Sequence, residues 1–180
     1  AVLLTSGVLA GGTRSYDFRT DLRVVYQYLC NNHPRPTEVQ YPLNIGLPAD
    51  AKIIANVGRL HPDKDQATLI EGFAKALPEL PGCTLRTIAG RGPLENELKA
   101  LAQQLGIAGS VRFLGQVPDA RHYFRAFDLF ALTSDHEPFG MVLLEAMAAN
   151  VPILATDCGG APEVVGEPDQ LFPLQAPEQL

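Results

Sequence analysis

The chain has 180 residues, 46% hydrophobic and 19% charged, a length that fits about one domain and a composition that excludes an intrinsically disordered chain. No uncharged apolar run is long enough to cross a membrane as a helix. With 14 Lys and Arg against 20 Asp and Glu, the formal charge of -6 disfavours a general nucleic-acid binder while leaving room for a small local basic site.

In chain order, residues 1 to 50 are irregular: Val2 to Thr5 reads as a strand, a short helix follows, Leu22 to Tyr26 reads as a second strand, and a Pro- and Asn-rich connector runs from Asn31 to Pro48. From residue 51 a regular alternation begins. Lys52 to Val57 is a short apolar run closed by Gly58, the profile of a buried parallel strand. Asp65 to Leu77 predicts a helix with Leu69, Ile70, Phe73 and Leu77 on one face. Thr84 to Ala89 predicts a strand, and Leu94 to Leu105 a helix with Leu94, Leu98, Leu101 and Leu105 on one stripe, stopped by Gly106. Val111 to Leu114 is a strand, Asp119 to Phe127 a short helix and Leu129 to Leu132 a strand. Met141 to Ala149 is a helix, Pro152 to Thr156 a strand, Ala161 to Val165 a turn of helix and Leu171 to Pro173 a last short strand. This alternation predicts an α/β fold with a doubly wound parallel sheet of Rossmann type, whose ligands bind in the loops leaving the carboxyl ends of the strands.

Cys30, Cys83 and Cys158 are an odd number at wide spacing, which argues against a disulfide framework or a zinc site and fits a reducing compartment. His33, His61, His122 and His136 show no HxxxH or HExxH spacing, so no metal centre is expected. The apolar start AVLLTSGVLAGG lacks a basic segment before it and does not read as an export signal. Residue 1 falls directly into a strand-like run, and Ala176 to Leu180, with Pro177 near its first position, resembles the first turn of a helix; the sequence therefore reads as a piece of a longer protein.

Three loops carry a chemical signal. In Gly58-Arg59-Leu60-His61-Pro62-Asp63-Lys64 two cations flank a helix N-terminus, a place suited to a phosphate or diphosphate. The alternative is a pair of solvated cations beside Asp63 and Asp65. In Ala89-Gly90-Arg91-Gly92-Pro93-Leu94 the glycines allow a flat ligand to approach the backbone, but the third glycine of a dinucleotide fingerprint is absent; plain turn chemistry is the alternative. The third loop, Thr133 to Gly140, leads into MVLLEAMAAN, a helix that is apolar on every side except at Glu145 and so is expected to be buried. A buried Glu145 needs a hydroxyl-bearing ligand or an internal cation. Glu137 precedes it by eight residues, about 12 Å if the helical rise applies throughout, too far for a glycosidase-type carboxylate pair but suited to the two ends of an elongated polar ligand. The amides of Phe139, Gly140 and Met141 would then face a diphosphate at its middle. The alternative is that Glu145 pairs internally and Glu137 only favours the helix dipole.

The pieces GRLHPDK at 58–64, AGRGP at 89–93, VRFLG at 111–115 and SDHEPFGMVLLEAMAANVPILATDCGGAPEVV at 134–165 resemble the retaining glycosyltransferases of family 4, also called glycosyl transferases group 1, which have the two-Rossmann-domain GT-B architecture. The resemblance runs from about residue 52 to 174, in the family's order, and includes the family's Glu-x7-Glu element at Glu137 and Glu145. It implies that residues 51–180 form the C-terminal domain that binds a nucleotide-diphosphate sugar, that 27–50 are a linker, and that 1–26 are a remnant of the N-terminal acceptor domain. The segment after Tyr26 departs from the family by lacking its Asn-Gly turn.

By resemblance, Arg59 and Lys64 neutralise the donor diphosphate in place of a metal, Glu137 contacts the donor sugar, and Glu145 holds the ribose hydroxyls. The backbone of Phe139, Gly140 and Met141 touches the sugar and phosphates, Gly58 joins the binding residues as the tight turn of its loop, and Gly90, Gly92, Arg112 and Phe113 lie near the base. No cofactor is implied, and the donor is a UDP- or GDP-sugar. The acceptor is a glycan or lipid-linked molecule, of the lipopolysaccharide or exopolysaccharide kind, reached through the absent half. The resemblance further implies a cytoplasmic protein, with peripheral contact at the inner face of the cell membrane in the longer chain, and a fragment that binds nucleotide without catalysing. The competing readings are a GT-B epimerase or phosphorylase, an NAD-binding Rossmann domain, and a non-enzymatic interaction module.

Overall fold

β1 (Lys52–Val57) forms because Ile53, Ile54 and Ala55 make a continuous apolar run, as a strand covered on both faces requires. The computed structural model in which it is seen describes residues 51–80, 83–88, 91–118, 120–166 and 168–180, with residues 84–88 and 122 described by their backbone. The expected strands at 2–5 and 22–26, the connector, the proposed boundaries at residues 26 and 50, and Gly90 all lie outside the described residues.

The other strands are β2 (Cys83–Ile88), β3 (Val111–Phe113), β4 (Leu129–Leu132), β5 (Ile153–Thr156) and β6 (Leu171–Phe172). All pairings are parallel, in the order β3-β2-β1-β4-β5-β6. The chain thus builds outward from β1 to β3, returns to the other side of β1, and builds outward again from β4. The reversal between β1 and β4 is the topological switch point, where the loops leaving the two strands diverge and open a crevice.

Four α-helices are described: α1 (Gln66–Ala76), α2 (Glu95–Gln104), α3 (Met141–Ala148) and α4 (Ala161–Val165). Ile54, Leu129, Ala131 and Leu154 pack on one face of the sheet against Leu69, Ile70 and Phe73 of α1 and Leu98 and Ala102 of α2. The intervening strand residues Ile53, Ala55, Phe130, Leu132, Ile153 and Ala155 pack on the other face, against Phe124 and against α3 and α4. Period-two alternation sends successive side chains to opposite faces, and right-handed crossovers place helices over both. The expected doubly wound parallel α/β fold is the observed one.

Several local expectations change. Residues 119–127 were expected to be a short helix; the structure has a 3-10 helix at Ala120–Ala126, which places Phe124 against Phe127 and Phe130. On α2 the leucine stripe holds in part: Leu98 is buried and Leu94 and Leu101 pack against the same core, joined by Ala102, whereas Leu105 is exposed beyond the last turn. Gly106 does terminate that helix, with φ 72° and a closing bond from the Ile107 amide to the Ala102 carbonyl at 2.9 Å. Residues 176–180 make a turn rather than a helix, and Leu180 packs beside Gly72 of α1.

At the amino edge of the sheet, Asp128 accepts the Ile53 amide at 2.8 Å and the Lys52 ammonium at 3.2 Å. This joins β1 to β4 at the end opposite the crevice.

Candidate active site

The loop after β1 is shaped before any ligand enters. Asp65 takes a left-handed conformation, φ 38° and ψ 48°, and caps α1 by accepting the Thr68 amide at 3.3 Å and the Thr68 hydroxyl at 2.6 Å. The 3-10 turn Pro62–Lys64 therefore ends with Lys64 at the mouth of the crevice. Arg59 has its carbonyl fixed by the Gln66 side-chain amide at 2.8 Å, while its guanidinium is exposed and has no partner among the described residues. The stem of Lys64 runs over Gly58, where an added Cβ would meet it at 3.7 Å. At Gly92 a Cβ would overlap the Leu60 carbonyl, so this glycine is required by the close packing of the 91–94 loop on the Arg59–Leu60 backbone. The Leu94 amide bonds to Leu60 O at 3.3 Å.

The loop after β4 is stitched to this one. The Thr133 hydroxyl donates to Lys64 O at 3.0 Å, and the Asp135 amide donates to Asp63 O at 3.1 Å. Glu137, 8% exposed, receives the Lys64 ammonium on Oε2 at 2.5 Å, the Gly140 amide on Oε1 at 3.1 Å and the Ser134 hydroxyl on Oε2 at 3.4 Å. Its own carbonyl accepts the Gly160 amide at 2.8 Å. One wall of the crevice is thus a carboxylate with three donors, and a lysine holds it from across the switch point. Such a pair, mostly removed from water, is tolerable only with that full set of partners.

Behind it, the turn after β5 fixes Ser134. The Thr156 hydroxyl and the Cys158 thiol both donate to Ser134 O, at 2.5 Å and 3.0 Å. Gly159 and Gly160 let this turn approach closely: a Cβ on Gly159 would overlap Glu137 O, and one on Gly160 would press on Pro138 O at 2.7 Å.

The sequence candidates are distributed as follows. Gly58, Arg59, Lys64, Glu137, Phe139, Gly140 and Met141 come together around the switch point. Glu145 lies on α3 beyond it, half-buried and without a partner among the described residues. The expectation that α3 is buried all round is overturned: Leu143 and Ala146 are buried, whereas Phe139, Met141 and Leu144 are 57%, 61% and 38% exposed. The apolar helix packs by one side only, so its remaining face opens outward. The 12 Å estimate between the two glutamates does not apply either, because residues 137–140 are not helical and the helix starts at Met141.

Of the three amides expected to face an anion, that of Gly140 is already bound by Glu137, leaving those of Phe139 and Met141 without an acceptor among the described residues. These two amides at the start of α3, beside the Lys64–Glu137 pair, suit an anion. Arg112 is not part of this cluster: it is exposed, and its guanidinium reaches Ala108 O at 3.4 Å, in the turn before β3 and away from the carboxyl edge. Phe113 is half-buried against the core with the Lys99 ammonium 5.8 Å from its ring centre. Sequence reasoning missed Thr133, Ser134, Thr156, Gly159 and Gly160 as builders of the site. The only local signal was the Gly159-Gly160 pair, which marks a close backbone approach.

Among the described residues no helix is long and apolar enough to cross a membrane. The chain is similar to the lipopolysaccharide core biosynthesis glycosyltransferase LpsE of Rhizobium meliloti (strain 1021), with 40% identity over 113 residues, 63% of this chain and 32% of LpsE. It is similar in structure to Anabaena HepE, solved with UDP and glucose, with a TM-score of 0.66 and 32% identity over 73% of this chain and 37% of HepE. It is also similar to the crystallised C-terminal domain of the group 1 protein LpcC from Francisella tularensis, with a TM-score of 0.65 and 27% identity over 74% of this chain and 73% of that one. The chain spans about a third of LpsE's length. Residues 41–178 match the family model of glycosyl transferases group 1, and the parallel sheet matches GT-B glycosyltransferase structures; the chain belongs to that family.

Proposed function

We propose that residues 51–180 are the C-terminal donor domain of a retaining glycosyltransferase of family 4, binding a UDP- or GDP-sugar in the crevice between the loops after β1 and β4. The observation that carries this reading is the meeting of Lys64 with Glu137 across the switch point, where the loop bearing Arg59 and the start of α3 also lie and where, among the described residues, the Arg59 guanidinium and the Phe139 and Met141 amides have no partner. The diphosphate lies along Arg59, Lys64 and the start of α3, where two cations and oriented amides take up the charge that grows as the sugar–phosphate bond breaks. No metal or other cofactor enters this scheme. Glu137 accepts from sugar hydroxyls, and Glu145, unpartnered on the outward side of α3, accepts from the ribose. The anomeric carbon passes to a hydroxyl of a glycan or lipid-linked acceptor, and the nucleoside diphosphate departs.

Support for the donor class comes from HepE, solved with UDP and glucose, and for an acceptor of the lipopolysaccharide kind from the name of LpsE. We place the reaction in the cytoplasm, with peripheral contact at the inner membrane face supplied by the acceptor half. That half closes over the donor during transfer, so the piece alone binds without turning over.

A calorimetric panel of UDP, GDP, ADP, NAD and the corresponding sugar nucleotides tests the reading. Preference for uridine or guanosine diphosphate compounds supports it and selects the donor; binding of NAD without response to sugar nucleotides overturns it. Glu145→Ala is expected to weaken nucleotide binding about tenfold, the equivalent of one charge-assisted hydrogen bond. Because Glu145 has no partner among the described residues, the same change should leave the melting temperature unaltered. Unchanged affinity would remove the ribose assignment.

A further inference from the structure

Lys64 and Glu137, which the proposed function assigns to the phosphate and the sugar, are spent on each other in the structure. The ammonium sits 2.5 Å from Oε2, with the two side chains 19% and 11% exposed. Glu137 has no freedom to retreat when Lys64 is drawn to another anion. Its Oε1 holds the Gly140 amide at 3.1 Å, Ser134 donates to Oε2 at 3.4 Å, and its carbonyl is tied to Gly160 N at 2.8 Å. Gly159 packs so tightly against that carbonyl that no side chain fits between them. A diphosphate that recruits Lys64 therefore comes to rest beside a fixed carboxylate which has lost its counter-ion.

Two like charges in a site of low solvation repel, and a carboxylate deprived of its donor is costly. A ligand carrying hydroxyls next to the diphosphate replaces the lost donor on Oε2; a bare nucleoside diphosphate carries none there. We infer that Glu137 is a specificity-determining residue which, by contesting Lys64, selects the sugar-loaded nucleotide over the spent nucleoside diphosphate. The same contest favours release of the diphosphate product once the sugar has gone, as Lys64 returns to Glu137. This inference rests on the nucleotide-sugar reading and adds to it an energetic role for the pair in the absence of ligand.

The test titrates the full chain, wild type and Glu137→Gln, with UDP, GDP and their glucose or mannose conjugates by calorimetry. Glutamine removes the charge and keeps an oxygen for the Gly140 amide, while its NH2 takes the place of Oε2 and can donate to the Ser134 hydroxyl oxygen. The expected result is tighter binding of the bare nucleoside diphosphate to Glu137→Gln, with the ratio of diphosphate to sugar-nucleotide affinity rising about tenfold, or 1.4 kcal/mol. A merely structural role for Glu137 would weaken both ligands together and leave the ratio unchanged. Should Glu137→Gln not melt cooperatively, Glu137→Ala serves in its place with the same expected change in ratio. If the wild type binds sugar nucleotides but the variant shows no rise in the ratio, the inference falls and the proposed function stands. If the wild type binds neither the diphosphates nor their sugar conjugates, both fall.

Discussion

Gly159 faces the carbonyl of Glu137 so closely that a Cβ in place of its hydrogen would overlap the oxygen, and its φ of 53° lies in the left-handed region. The turn after β5 is therefore part of the mould that sets Glu137, although it contributes no side chain to the crevice at this position. Gly159→Ala is expected to displace the Glu137 backbone and to destabilise the fold by about 2 kcal/mol or more, since neither atom is the end of a flexible side chain. Chemical denaturation checks the stability. Titration of the variant that remains folded should show weakened sugar-nucleotide binding, and wild-type affinity there would separate the turn from the site.

Asp65 combines an uncommon backbone conformation with a capping side chain, and two substitutions separate these. Asp65→Ala loses the cap and keeps the strained φ, for an expected loss of about 1–2 kcal/mol. Asp65→Gly loses the cap but relaxes the backbone, so its stability should lie within about 0.5 kcal/mol of wild type. Urea midpoints compare them, and equal losses would contradict the conformational part of this account.

Asp128 isolates stability from binding. It holds Ile53 and Lys52 at the amino edge of the sheet, so Asp128→Ala orphans a buried amide at a cost of about 1–3 kcal/mol. Nucleotide affinity at 25 °C should be unchanged in the folded protein, because the crevice opens at the opposite edge. A parallel loss of affinity would show that the two edges are coupled.

What was legible in the sequence, and what was not, follows from the range of the interactions. Strands buried on both faces are continuous apolar runs, so Lys52–Val57 and Leu129–Leu132 could be delimited to the residue. Gly58, which closes the first of them, marked one of the loops where a doubly wound sheet binds its ligands. The pairing of Lys64 with Glu137 was not visible, because 73 residues separate them and only the β1–β4 adjacency brings them together. The lock of Thr156 and Cys158 on Ser134 uses a backbone carbonyl as acceptor, and such a partner leaves no trace in residue type. On α3, composition suggested complete burial, whereas Leu143 and Ala146 are buried, Val142 and Met147 are partly covered, and Met141 and Leu144 are exposed; an apolar helix wall beside a crevice reads like a core helix. For Arg112, placed near the base by resemblance, the contact of its guanidinium with Ala108 O likewise uses a backbone acceptor that residue type does not reveal.

The central claim is that a diphosphate lies between the loops after β1 and β4, and it is most directly tested through Arg59 and Lys64. The measurement is the affinity of the double variant Arg59→Ala, Lys64→Met for the preferred nucleoside diphosphate and for the matching nucleoside, each compared with wild type by calorimetry. Loss of two charge-assisted contacts predicts a fall of about a hundredfold or more for the diphosphate and little change for the nucleoside. Diphosphate affinity equal to that of the wild type would contradict the claim.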